Sequence, residues 1–87
     1  MEIEFDQHKA ISNFNKHAVT FDEAVSCLLD PNALVQEDLD TQGEHRWILL
    51  GMSDQARLLT VIYTLRDDSI RIISARKSTT KEANNYA

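Results

Sequence analysis

Glycine, proline and cysteine are scarce in this chain, with two, one and one among 87 residues. Gly43 and Gly51 stand apart, so no glycine-rich loop can cradle a nucleotide phosphate. The lone Cys27 excludes an internal disulfide. It lies in the apolar helical stretch 24–29 and suits a small core residue better than a nucleophile. No apolar run approaches the ~18 residues that read as a membrane span. The N-terminus, Met1-Glu2-Ile3-Glu4-Phe5-Asp6, is acidic and lacks the basic and apolar regions of a signal peptide. The expectation is a cytoplasmic protein that makes no use of a membrane. His8, His17 and His45 are scattered, and no cysteine cluster joins them, so no metal site is expected. A Ser-His-Asp hydrolase needs more scaffold than this chain has. No cofactor is expected.

What is present is a polarised charge. The net charge is −5. Residues 1–45 hold two Lys/Arg and ten Asp/Glu, and residues 46–87 hold seven and four, giving −8 and +3. A chain of acidic total can therefore still present a basic face to RNA, although acidic loops can also serve solubility alone.

One domain is expected over residues 1–87. Residues 3–5 alternate as a short strand would, and Asp6 suits a helix N-cap. Ala10, Ile11, Phe14 and Ala18 recur at helical spacing, which leaves Lys9, Asn13 and Lys16 on a solvated stripe. Thr20 and Glu23 fit a capping box, with Val19 and Ala24 as a hydrophobic staple. Phe21, Ala24, Val25, Leu28 and Leu29 form the buried face of that second helix, and Asp30-Pro31 ends it. Residues 33–35 read as a brief extended piece and 36–43 as a polar loop. Residues 46–52 read as an interior strand. Residues 58–66 and the run from Ile70 follow across short turns, which predicts a three-stranded antiparallel meander. Strict alternation puts Ile70, Ile72 and Ser74 on one face and Arg71, Ile73 and Ala75 on the other. Thr79 and Glu82 fit a capping box that opens a last helix through Tyr86. The order β-α-α-β-β-β-α predicts an α+β sandwich, two N-terminal helices covering a small antiparallel sheet.

The chemistry left open is RNA cleavage without a metal. It needs a base for the 2′-hydroxyl, cations for the phosphorane and an acid for the leaving oxygen. Lys16 and His17 at a helix end, Glu44 and Arg46 at a strand start, Arg71, Arg76 and Lys77 on the last strand, and Tyr63 and Tyr86 supply these groups. Each has an ordinary reading as well. Glu44 with Arg46 makes a surface ion pair, Tyr63 packs on the sheet, Arg71 is solvated, and His17 caps a helix.

The residues Phe5-Asp6, Lys9, Asn13, Lys16-His17, Val19-Thr20-Phe21, Ala24, Asp30-Pro31, Glu44, Arg46, Gly51, Leu59, Val61, Tyr63, Arg71-Ile72-Ile73-Ser74-Ala75-Arg76-Lys77, Glu82 and Tyr86 run in order through nearly the whole chain. In these the chain resembles the BrnT toxins of bacterial type II toxin–antitoxin systems. The resemblance implies a RelE-like fold and a metal-independent ribonuclease that arrests growth. It also implies neutralisation by a BrnA-like antitoxin, in a 2:2 complex that binds operator DNA only through the antitoxin. On this view Arg71 and Arg76, assisted by Lys16, meet the phosphate. His17 or Glu44 is the base, Tyr86 or His17 the acid, Arg46 completes the catalytic set, and Tyr63, Lys77 and Lys81 contact RNA. These groups are expected to converge where the helix corner, the start of the Arg46 strand and the end of the Ile70 strand meet. Two departures stand out. Ala18 replaces the glycine usual after Lys-His, and Ala83-Asn84-Asn85 replace a more basic C-terminal helix. The alternative is a toxin relic, a non-catalytic antitoxin-binding module that tunes transcription.

Overall fold

A computed structural model describes residues 2–39 and 43–86. In order they form β1 (Glu2–Glu4), α1 (Gln7–His17), α2 (Phe21–Cys27), β2 (Leu34–Asp38), β3 (Arg46–Met52), β4 (Leu58–Arg66), β5 (Ser69–Lys77) and α3 (Thr80–Ala83). The strands make one sheet in the order β1-β5-β4-β3-β2. The expected meander is there, but the sheet is mixed, because β1 pairs with β5 in parallel. The extended piece at residues 33–35 and part of the expected loop are a fifth strand, β2, antiparallel to β3. Its polar residues escaped notice because an edge strand need not bury both faces.

The helix starts follow their local chemistry. The Asp6 carboxylate accepts from the His8 and Lys9 N–H groups at 2.7 and 3.3 Å. The Thr20 hydroxyl accepts from the Glu23 N–H, but the Glu23 side chain turns inward to Arg57, so only half of that capping box forms. The box at Thr79 and Glu82 is complete. It opens one turn only, and Tyr86 lies beyond the helix.

Both long helices lie against β5, and α2 also reaches β3 and β4. Between them and the sheet lie Val19, Phe21, Ala24, Cys27, Leu49, Leu59, Val61, Ile72 and Ala75. Cys27 is the expected core residue, and burial lifts its thiol pKa to about 11. Phe5 meets Phe21 edge-on with centroids 5.3 Å apart.

Two hydrophobic phases differ from expectation. On α1, Ile11 and Phe14 are 60% and 49% exposed, and Asn13 is buried. Asn13 is the residue that ties α1 to the sheet. Its amide nitrogen donates to the Val19 and Ala75 carbonyls at 3.0 and 2.8 Å, and its oxygen accepts from the Ala75 N–H at 3.1 Å. With both ends of the amide bonded, its internal hydrogen bonds offset the cost of taking it out of water. The second helix stops at Cys27, with Leu28 as its C-cap, short of the expected Asp30-Pro31 end, so Leu29 lies beyond α2 and is exposed while Cys27 takes a core position.

On β5 a bulge breaks the alternation. Ile62 faces Ser74 while Tyr63 faces Ile72, which leaves Ile73 unopposed. Ile72 and Ala75 therefore share the helix side, and both are fully buried. Arg71, Ser74 and Arg76 share the other side with their cross-strand partners Thr64, Ile62 and Thr60.

Candidate active site

The face away from α1 and α2 carries charged and hydroxyl side chains in rows across the strands. At one end, Arg71 stands between Thr64 and Glu4. Arg46 pairs with Asp38 and precedes the Trp47–Tyr63 pair, which brings it beside Thr64. Glu44 lies just before this strand. The Thr64 hydroxyl, fully buried, donates to the His45 carbonyl at 2.6 Å and so fixes the approach to β3. Arg66 donates from Nε to Glu44 Oε2 at 2.8 Å and from Nη2 to Oε1 at 3.4 Å. Arg71 reaches Glu4 at 3.4 Å.

The hydrogen bond from Arg66 does most to hold the Glu44 carboxyl below the usual glutamate range, against some desolvation. The charges of Arg66, Arg46 and Arg71 add to it. One ionised carboxylate thus sits among three guanidiniums on an exposed surface. Such a group can accept a proton, and its neighbours can bind an anion through planar forks.

Arg76 occupies the opposite end of the same face, in the row Leu34, Leu50, Thr60, Arg76. Thr60 and Thr64 are four residues apart on β4, roughly 13 Å at the usual rise of a strand. The Arg76 guanidinium is clasped by Glu82 through bonds of 2.7 and 2.9 Å. Glu82 also accepts from the Thr79 N–H at 2.8 Å and the Thr60 hydroxyl at 3.1 Å. These contacts, the Arg76 bond foremost, depress its pKa to about 2. Arg76 is in this state the anchor of the C-terminal helix. Lys81 is exposed on that helix.

Lys16 and His17 lie on the helix side of the sheet. They end α1 at Ala18, which is left-handed at φ 57° and ψ 34°, the conformation that glycine adopts most readily at a helix C-terminus. The Ala18 carbonyl accepts from Arg57 at 3.3 Å. Arg57 in turn grips both oxygens of the buried Glu23, whose Oε2 also accepts from Ser53 at 2.7 Å. Lys77 is on this side too, opposite Leu59, and its charge is felt at Glu23. Tyr63 is half-buried against the core, which raises its phenol pKa. Tyr86 donates to Asp30, and that bond raises the phenol pKa.

The structure therefore gathers Glu44, Arg46 and Arg71 and keeps the other expected residues apart. The start of β3 and the end of β5 lie at opposite ends of the sheet, and the helix corner is on its other face. Arg66 and Thr64 were missed. The signal was available: continuing the register of the β3–β4 hairpin past Trp47–Tyr63 sets Arg46 across from Thr64 and Glu44 across from Arg66. Among the described residues, no three His, Cys, Asp or Glu side chains gather as metal ligands. No helix there is long and apolar enough to cross a membrane.

These features define a small α+β protein whose mixed sheet exposes an arginine-rich face suited to an anionic ligand. Residues 5–82 match the family described as the ribonuclease toxin, BrnT, of type II toxin–antitoxin systems, and the chain belongs to that family. The crystal structure of the Brucella abortus ribonuclease toxin BrnT has a similar fold. It superposes with a TM-score of 0.71 over 92% of this chain and 99% of that one, at 23% identity. No curated protein matches. The resemblance read from the sequence is thereby borne out, and a toxin of this type has an antitoxin as its partner.

Proposed function

We propose that this chain is a RelE-like, metal-independent endoribonuclease that arrests growth and is neutralised by a BrnA-like antitoxin, in a 2:2 complex that meets operator DNA through the antitoxin. The observation that carries the reading is Glu44 set among Arg46, Arg66 and Arg71 on a sheet face that α1 and α2 leave open. In this mechanism Glu44 takes the proton of a 2′-hydroxyl. The 2′-oxygen attacks the adjacent phosphorus, and Arg46 and Arg71 stabilise the charge that gathers on the phosphorane. The bond to the 5′-oxygen breaks, leaving a 2′,3′-cyclic phosphate, and solvent at the open face returns a proton to the leaving oxygen. Arg76, once released from Glu82, extends the phosphate contacts along the strand, with Lys81 beside it. On this reading Lys16, His17, Lys77, Tyr63 and Tyr86 act in holding the fold or in RNA contacts away from the scissile bond.

The test is cleavage of RNA in excess EDTA by the wild type, Glu44→Gln and Arg71→Ala. The wild type is expected to cleave, and Glu44→Gln to lose roughly 10²- to 10⁴-fold in rate. Full activity in folded Glu44→Gln would remove the proposed base. The relic reading draws support from the carboxylates that already occupy Arg66, Arg71 and Arg76. It requires that folded wild type cleave no RNA and that its induction leave growth unchanged.

A further inference from the structure

Glu44 is half-exposed and follows Gly43, whose φ is +86°. A glutamate side chain in such a place is free to swing through several rotamers unless something holds it. The Thr64 bond fixes only the backbone beside it, at the His45 carbonyl. The His45 ring is turned to Glu37, 2.6 Å away, and Arg71 is turned to Glu4. Arg66 is the group that meets both Glu44 oxygens.

We infer that Arg66 is the positioning residue of this site: its planar fork fixes the plane and direction of the Glu44 carboxylate, and so aims one oxygen at the 2′-hydroxyl of an RNA seated against Arg46 and Arg71. This role presupposes the ribonuclease reading above. An arginine suits it because two parallel N–H bonds set an orientation that a point charge does not. Reaction rates are sensitive to such aim, and a misplacement near 1 Å costs about a hundredfold. Arg66 can be removed without loss of core, since its side chain is half-exposed at the end of β4.

The charged groups around Glu44 are Arg66, Arg46 and Arg71, with Glu4 behind Arg66 and Arg71 and Asp38 beside Arg46. Loss of Arg66 takes away the largest influence that keeps Glu44 ionised, while Arg46 and Arg71 remain. The acidic limb of the activity profile therefore moves to higher pH.

The experiment compares wild type, Arg66→Gln and Arg66→Lys on a labelled RNA oligonucleotide, as kcat and KM against pH. A carbon NMR titration of the Glu44 carboxyl without RNA accompanies it. In Arg66→Gln, kcat is expected to fall roughly ten- to a hundredfold with KM little changed, and the acidic limb to move up. Arg66→Lys keeps the charge without the fork, so its limb stays nearer the wild type while kcat stays low. A rise in KM with a weaker salt dependence and an unmoved limb would make Arg66 a phosphate contact and overturn the inference. The NMR arm separates this from failure of the ribonuclease reading. If the wild type cleaves nothing, that reading falls. An unchanged Glu44 titration in Arg66→Gln then still refutes the hold by Arg66, and a raised one upholds it.

Discussion

Ala18→Gly should stabilise this protein. Ala18 closes α1 at φ 57° and ψ 34°, where a Cβ is crowded by the backbone and the penalty is about 1–2 kcal/mol. Glycine escapes that penalty but carries more disorder into the unfolded chain, worth roughly 0.4–1 kcal/mol against it. The methyl group offers little in return, because Ala18 is exposed. Both hydrogen bonds at this residue use its own backbone groups and survive the change: its N–H donates to the Phe14 carbonyl at 2.8 Å, and its carbonyl accepts from the Arg57 guanidinium. The balance is a gain of about 1 kcal/mol. In a domain of this size it raises Tm by about 4–8 °C. Urea unfolding of the two proteins measures it directly, as a higher midpoint at unchanged slope. Ala18→Val should move the midpoint the other way, since a β-branched residue tolerates this backbone least. An Ala18→Gly protein equal to or weaker than the wild type would refute the reasoning, and would mean that the corner leaves the left-handed region in solution.

Gly51 faces Cys27, and a Cβ there would lie 3.0 Å from Leu49 Cδ2 and 3.1 Å from the Cys27 carbonyl oxygen. Gly51→Ala should cost about 1–3 kcal/mol by overpacking, and a thermal melt at or above the wild type would contradict it. The pKa of Glu82 falls from 4.5 to about 2 in the fold, so its contribution to stability is complete above the unfolded value and lost as pH drops through the folded one. The bond from Tyr86 to Asp30 should weaken only in acid, because the Asp30 carboxyl is held below the ordinary aspartate range, chiefly by the Met52 N–H and then by Tyr86. NMR of the Tyr86 ring between pH 5 and pH 2 follows this, and a change confined to neutral pH would oppose it. Glu82→Gln should loosen α3 and release Arg76, giving tighter RNA binding with a steeper salt dependence. Unchanged binding would remove Arg76 from the RNA contacts.

What the sequence made legible was local. Asp6, Thr20 and Thr79 each accept the N–H bonds their positions call for, because a cap depends on three or four consecutive residues. The hairpins followed from short gaps between β-rich runs. The errors came where a distant partner decides. Asn13 is inside because the Ala75 and Val19 backbone groups need its amide, and no helical periodicity encodes that need. Ile73 is unopposed because β4 and β5 slip by one residue, which strict alternation cannot anticipate. The expected site residues divide in the same way. Glu44, Arg46 and Arg71 are close through sheet register, whereas Lys16 and His17 end a helix that lies on the far side of the sheet.

The pairing on the open face bears on how an acidic chain can bind RNA. Glu44, Glu4 and Glu82 each hold an arginine, namely Arg66, Arg71 and Arg76. An incoming phosphate therefore competes with an internal carboxylate for a guanidinium, and the carboxylate it displaces must be hydrated again. Surface pairs of this sort contribute little to stability, so the competition costs the fold little. It does change the salt dependence. A free arginine that meets a phosphate releases condensed counterions, about 0.7 per contact on a single strand. An arginine exchanged from one of these pairs exposes a carboxylate, which gathers cations of its own. The slope of log affinity against log salt should then be shallower than a count of contacting arginines implies. It should steepen when Glu82 is neutralised, while the effect of neutralising Glu44 on the slope comes with loss of the proposed base. On the proposed reading, the acidic total and the arginine-rich face are one arrangement, in which internal carboxylates hold the arginines in place for an incoming phosphate.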